Sequence, residues 1–280
     1  MSVASVPFSF NRLSLIAGNT FLEAVRQKLF LFLLMLAIGL VASALFFREF
    51  NFGSSELKFI ADFGFGALVF FGSALTIATT AQLFFSEIEN RTALTLLAKP
   101  LWRAEFVFGK FLGVFAVIGV FCALTIGLML ALLWHRETEL MAANPDAFEA
   151  GRIIAYGDLV IVGALQWIKF GVLTSIVLLI ASFSNTNLFT VVTGFFVLVI
   201  CHLQYLARDA WGKVDNALLA GVVQALSFVF PNFQLFNLAD NIGQGSGVDG
   251  EVALRVAGYG IAYIAVIGGL AVYSFRSREI

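Results

Sequence analysis

A series of apolar runs, each about the length a bilayer demands, limits most what this chain can become. Roughly 20 apolar residues in helical form cross the ~30 Å hydrocarbon core of a membrane. Runs of this kind occupy residues 30–47, 63–84, 106–134, 159–183, 188–206 and 252–275. Lipid offers no hydrogen bonds, so an isolated run must satisfy its own backbone as a helix. Composition agrees: 60% of the 280 residues are hydrophobic and 12% charged, about half the charged share of a soluble domain. The expected fold is all-α, a single polytopic membrane domain over 1–280 with six transmembrane helices.

The segments around these runs are read by pattern. Residues 12–29 are expected to form an N-terminal amphipathic interfacial helix. Leu15, Phe21, Leu22, Val25 and Leu29 recur at helical spacing, with Glu23, Arg26 and Lys28 as polar positions. Leu13, Ile16, Thr20, Ala24 and Gln27 alternate poorly. The second run carries Gly64, Gly66, Gly72 and Ser73, and small residues let helices approach closely, so it should pack centrally. The third run, counted from Leu101, would be about 50 Å long, with its first turns standing out of the bilayer. Residues 135–158 read as an acidic loop. Within the connection 207–251, the apolar run 217–230 is too short to span and ends at Pro231, which suggests an outer re-entrant helical segment.

Orientation follows from the basic residues. The side holding both ends and the 86–104 segment carries nine basic and five acidic residues, against seven and thirteen on the other. The shorter loops hold the denser positive charge, which places both termini in the cytoplasm. A net charge of −1 gives no reason to expect nucleic acid as a partner. Cys122 and Cys201 lie inside apolar runs, so free thiols are expected. No cleavable leader is evident in the first twenty residues.

No catalytic constellation accompanies the spans. The sequence lacks HExxH, GxSxG, CxxC and the GxxxxGK[ST] phosphate loop. The chain is therefore expected to be no enzyme, to bind no cofactor or metal of its own, and not to hydrolyse ATP. His135 and His202 lie far apart in sequence. Lys169 is the one basic residue well inside a run. An intramembrane charge is costly and points to function by default. It either touches a translocated substrate or fixes helix packing, and Asp62 and Asp158, nearer the outer edge, are not obvious partners.

Residues 85–113 are the long polar interruption of the first half of the chain. A helical pattern over 92–98 is stopped by Pro100, which pushes the preceding residue out of the α region. Ile88, Leu94 and Leu97 make an apolar strip, exposed unless a partner covers it. Glu87, Glu89, Arg91, Lys99 and Arg103 surround it. Apolar anchors inside mixed charge suit a protein-docking surface. An ordinary charged cytoplasmic loop is the plainer alternative.

Glu87, Glu89, Arg91, Thr92, Leu96, Leu97, Pro100, Arg103, Glu105, Phe106, Gly109 and Lys110 together resemble the inner loop of permeases of the type-2 ATP-binding-cassette exporter family. The pattern is most similar to the branch holding nitrous-oxide-reductase maturation and gliding-motility permeases. The resemblance implies a coupling segment over 86–104 docked on a separate ATP-binding-cassette ATPase, through Glu87, Glu89, Arg91, Thr92, Leu94, Leu97, Lys99 and Arg103. ATP and magnesium would be bound in that subunit. It also implies a second permease chain, the bacterial inner membrane, and an outer gate at Phe228, Phe230 and Pro231. Asn90 and Trp102 have no role in the pattern, and the 135–158 loop exceeds a minimal member's, which brings outer accessory proteins into play. A polytopic scaffold that anchors an assembly without transport is the alternative function.

Overall fold

The computed structural model describes residues 9–46, 56–89, 102–149, 151–211, 221, 224, 229–239 and 247–276. Regular structure among them is helical throughout. The long helices are α1 (Phe10–Arg26), α2 (Lys28–Ser43), α3 (Glu56–Glu89), α4 (Arg103–Ala143), α5 (Tyr156–Phe183), α6 (Asn187–Trp211) and α7 (Gly250–Arg276). Helices α3 to α7 each contain a stretch long and apolar enough to cross a membrane, and the chain is a polytopic membrane protein. A sixth span exists only if α1 and α2, bent by 63° at Gln27, are counted together. Alone, α2 has 16 residues, about 24 Å of helix.

Helix α5 is the post of the bundle. Of its most apolar window, 78% is buried inside the protein, against 22% for α6 and α7, and it packs on α3, α4, α6 and α7. Trp167 ties it to α4: its ring stacks on Phe115 at 4.3 Å, and its Nε1–H donates to the Phe115 carbonyl at 2.9 Å. Helix α3 packs centrally as its small residues suggest. Gly64 lies against Met129 and Gly72 against Phe170, whereas a Cβ on Gly66 would meet nothing within 4 Å.

Helix α1 lies along α4, and the contact uses a face the hydrophobic period passed over. Leu13, Ile16, Thr20 and Ala24 form the packed stripe, with Thr20 and Ala24 fully buried. The facing surface of α4 is Gly109 and Gly113, one turn apart. A Cβ at Gly109 would sit 2.6 Å from Ile16 Cγ2, and one at Gly113 2.5 Å from Thr20 Cβ. This is small-against-small helix packing. Leu15 and Leu22 are left exposed, 68% and 51%, on a helix that reads as interfacial.

The 135–158 region departs from the expected acidic loop. Helix α4 runs on through it to Ala143, 41 residues and about 60 Å in all. A 3-10 turn, Pro145–Phe148, follows, and α5 begins at Tyr156. Asp146 and Glu149 are exposed, but Glu137, Glu139 and Asp158 have partners within the fold. The Glu137 carboxylate is fully buried and accepts from Ile153 N–H (2.7 Å), Ile154 N–H (3.1 Å), Tyr156 O–H (2.6 Å) and Arg152 (3.2 Å). Arg152 also lies 3.4 Å from the ring centre of Trp134. Arg136 bridges to Glu56 at the start of α3. A sequence read for hydropathy sees charges here and infers solvent, but Glu137 and Arg152 are partners of one another.

The connection after α6 returns into the bundle. Residues 229–239 contain a 3-10 turn, Phe233–Phe236, whose two phenylalanines are buried. Gln166 of α5 donates to the Phe236 carbonyl at 2.9 Å, and the Asn232 N–H donates to Tyr259 Oη at 2.9 Å. Most of 217–230 lies outside the described residues, including Phe228 of the expected gate.

Overpacking a close helix contact costs about 1–3 kcal/mol. Gly113→Leu is expected to lift α1 from α4, lowering the thermal midpoint by several degrees and exposing residues 10–26 to protease, while leaving membrane insertion intact.

Candidate functional site

Two places in the fold gather the residues singled out by sequence. At one end of the bundle, the arms of the 86–104 segment are held together. Helix α3 delivers Phe84 and Phe85, α4 delivers Phe106, and α7 delivers Phe275, all buried. Phe84 meets Phe106 and Phe275 edge-on at 6.1 and 5.6 Å, and Phe106 stacks on Phe275 at 5.6 Å. Aromatic pairs at this spacing add about 0.5–1.5 kcal/mol each beyond their burial.

The start of α1 is tied to the same place. Glu105 is fully buried, and its carboxylate accepts from Ser9 N–H at 2.7 Å and from Arg12 at 2.9 and 3.0 Å. Trp102 N–H donates to it at 3.4 Å, so the third residue of α4 caps its own helix. The start of α1, the two arms and the end of α7 therefore lie at one end of the bundle. Glu105, Phe106 and Gly109 of the sequence pattern act inside the fold, holding α1 and α7. Trp102, without a role in the pattern, marks where α4 begins.

The docking residues themselves fall differently. Arg91, Thr92, Leu94, Leu97 and Lys99 lie outside the described residues; Glu87 and Glu89 belong to the last turn of α3 and Arg103 to the first of α4, their side chains not described.

The second place is inside the bundle. Lys169 lies near the middle of α5, 3% exposed, about 20 Å from the Tyr156 end. It faces a cavity of about 390 Å³ walled by α3, α5, α6 and the 233–239 segment. Asp62, His202, Gln234 and Asn237 share that wall with Phe65, Val69 and Phe233. Sequence reading set Asp62 aside and treated His202 as isolated. The fold brings both to the cavity that Lys169 lines, through a return segment whose path no local pattern encodes. The His202 ring donates from Nδ1 to the Leu198 carbonyl at 3.0 Å, which leaves Nε2 as the other face of the ring.

Beside it, α5, α6 and α7 enclose an apolar groove of about 790 Å³. Phe230 and Pro231 of the expected gate stand in its wall with Val229, and Gln204 and Asn232 are among its few polar residues. Among the described residues there is no group of three metal-ligating side chains.

Among the described residues, the flanks of the 86–104 segment, the start of α1 and the end of α7 meet at one end of a polytopic helical bundle. The profile of the ABC-2 family transporter protein matches residues 14–280, and the chain belongs to that family. It is thus a membrane component of an ATP-binding-cassette transporter. No curated protein matches the chain.

Removing a charged acceptor from buried donors costs roughly 2 kcal/mol. Glu105→Ala is expected to lower the thermal midpoint and speed proteolysis of α1. Glu251→Ala, at the exposed Arg255–Glu251 pair, should shift the midpoint by less than about 0.5 kcal/mol equivalent.

Proposed function

We propose that this chain is the transmembrane subunit of an exporter energised by a separate ATPase, with the 86–104 segment as its coupling element. The observation that carries the reading is the aromatic cluster of Phe84, Phe106 and Phe275. It joins both arms of the segment to the last span, so a displacement of the segment is passed to α3, α4 and α7 together. The buried Glu105–Arg12 tie adds α1 to the same unit. A push at the segment is then a push on four helices, which is what coupling to ATP binding needs.

In this reading, Leu94 and Leu97 enter a cleft of the ATPase, and Glu87, Glu89, Arg91, Thr92, Lys99 and Arg103 set the register. ATP and magnesium sit in the ATPase. Two copies of this chain pair in the bacterial inner membrane with both termini in the cytoplasm, and an outer accessory protein would meet the opposite cap. Phe230 and Pro231, in the wall of the apolar groove, serve the outer gate together with Phe228. The similarity of the 87–110 pattern supports placement beside the nitrous-oxide-reductase maturation and gliding-motility permeases.

Purification of the chain is expected to bring down an ATPase with a GxxxxGK[ST] loop. The double change Leu94→Asp with Leu97→Asp should reduce that association at least tenfold with membrane insertion unchanged. An ATPase retained at full stoichiometry would remove the docking role, and absence of any ATPase from the wild-type preparation would favour a scaffold.

A further inference from the structure

The cavity around Lys169 has a property that packing alone does not require. The amine is buried among apolar helices, yet among the described residues it makes no ion pair or hydrogen bond; the Phe170 ring lies 5.6 Å away, with Cys122 and His202 nearby. A buried charge without a partner is costly, and a cation inside a span points to function. A ring at that distance is at the outer reach of a cation–π contact and does not replace a counter-charge. The amine lines a cavity of about 390 Å³, within the ~300–1,000 Å³ range of small-molecule sites.

Two other polar groups on the wall, both amides, fit an anion. Gln234 and Asn237 each bring an amide that donates two hydrogens. Both come from the 233–239 segment, which the Gln166–Phe236 and Asn232–Tyr259 hydrogen bonds fix in place. The floor on the α3 side is Gly66, where a Cβ would meet nothing within 4 Å. Room is therefore left on that side without being needed for helix contact. Asp62, one turn from Gly66 and exposed, lines the same cavity.

We propose that this cavity is a binding site for an oxyanion group, phosphate or carboxylate, borne by a small molecule or by a lipid headgroup. The acid pairs with Lys169 and takes further hydrogen bonds from Gln234 and Asn237. The proposal rests on the cavity alone and is independent of ATPase docking.

The test follows thermal unfolding of the purified full chain in neutral detergent. Inorganic phosphate, phosphoethanolamine, acetate and dioctanoyl phosphatidylethanolamine are titrated separately, with choline chloride as a cation control. At a hundredfold excess over Kd, a bound probe should raise the midpoint by about 5 °C. Lys169→Met should abolish the rise. Gly66→Leu, which keeps the lysine and builds a branched side chain into the cavity from the α3 wall, should abolish it too, so the test stands even if Lys169→Met does not fold. A rise with the lipid alone assigns the acid to a headgroup, and a rise with the soluble anions assigns it to a free ligand. The site is overturned if no anion raises the midpoint, if choline does so equally, or if the rise survives Gly66→Leu.

Discussion

A helix buried on every side has no lipid face, and α5 is nearly such a helix. Its neighbours on α3, α4, α6 and α7 must each find it, and their own outward faces are then free to meet lipid. Helices α6 and α7, each 22% buried over the apolar window, are the outer staves. Hydrophobic burial does not drive helices together in lipid as it does in water, so the bundle depends on fit and on a few hydrogen bonds. The Trp167–Phe115 clasp and the Gln166–Phe236 bond supply them on two sides of the post. The same centrality makes Lys169 conspicuous, because a charge there is surrounded by the best-packed part of the chain.

Force at one end of the bundle travels by a different route. Helix α4 is about twice as long as the hydrocarbon core requires. At one end it is gripped by α1 and the phenylalanine cluster, and at the other by Glu56, Arg136, Glu137 and Arg152. A rod fixed at both ends is suited to carrying displacement across a membrane with little loss. The polar ties at its far end are buried or half-buried, so they hold more firmly than surface ion pairs.

The spans were legible in the sequence because hydropathy and length are sufficient to find them. The exact break was not: the change from an amphipathic to a wholly apolar pattern near residue 29 lies close to Gln27, but no proline or glycine there marks the 63° bend. The packed face of α1 was hidden for a related reason. Thr20 and Ala24 are weakly hydrophobic, so a period built on large side chains selects Leu15 and Leu22, which face outward. The acidic cap was misread because a buried carboxylate and a solvated one look alike in sequence; Glu137 differs only in what folds over it. At the candidate site, Lys169 stood out by its rarity in a span. Asp62 and His202 did not, since their proximity depends on how α3, α6 and the 233–239 segment meet.

The bend at Gln27 bears on the membrane itself. Beyond it, α2 offers about 24 Å of helix to a hydrocarbon layer of ~30 Å. A hydrophobic wall shorter than the layer is accommodated by local thinning, by flanking side chains that reach outward, or by association with another chain. The α2 edge is thus where this protein offers lipid the least apolar length, in contrast to α3–α7, each long enough to cross.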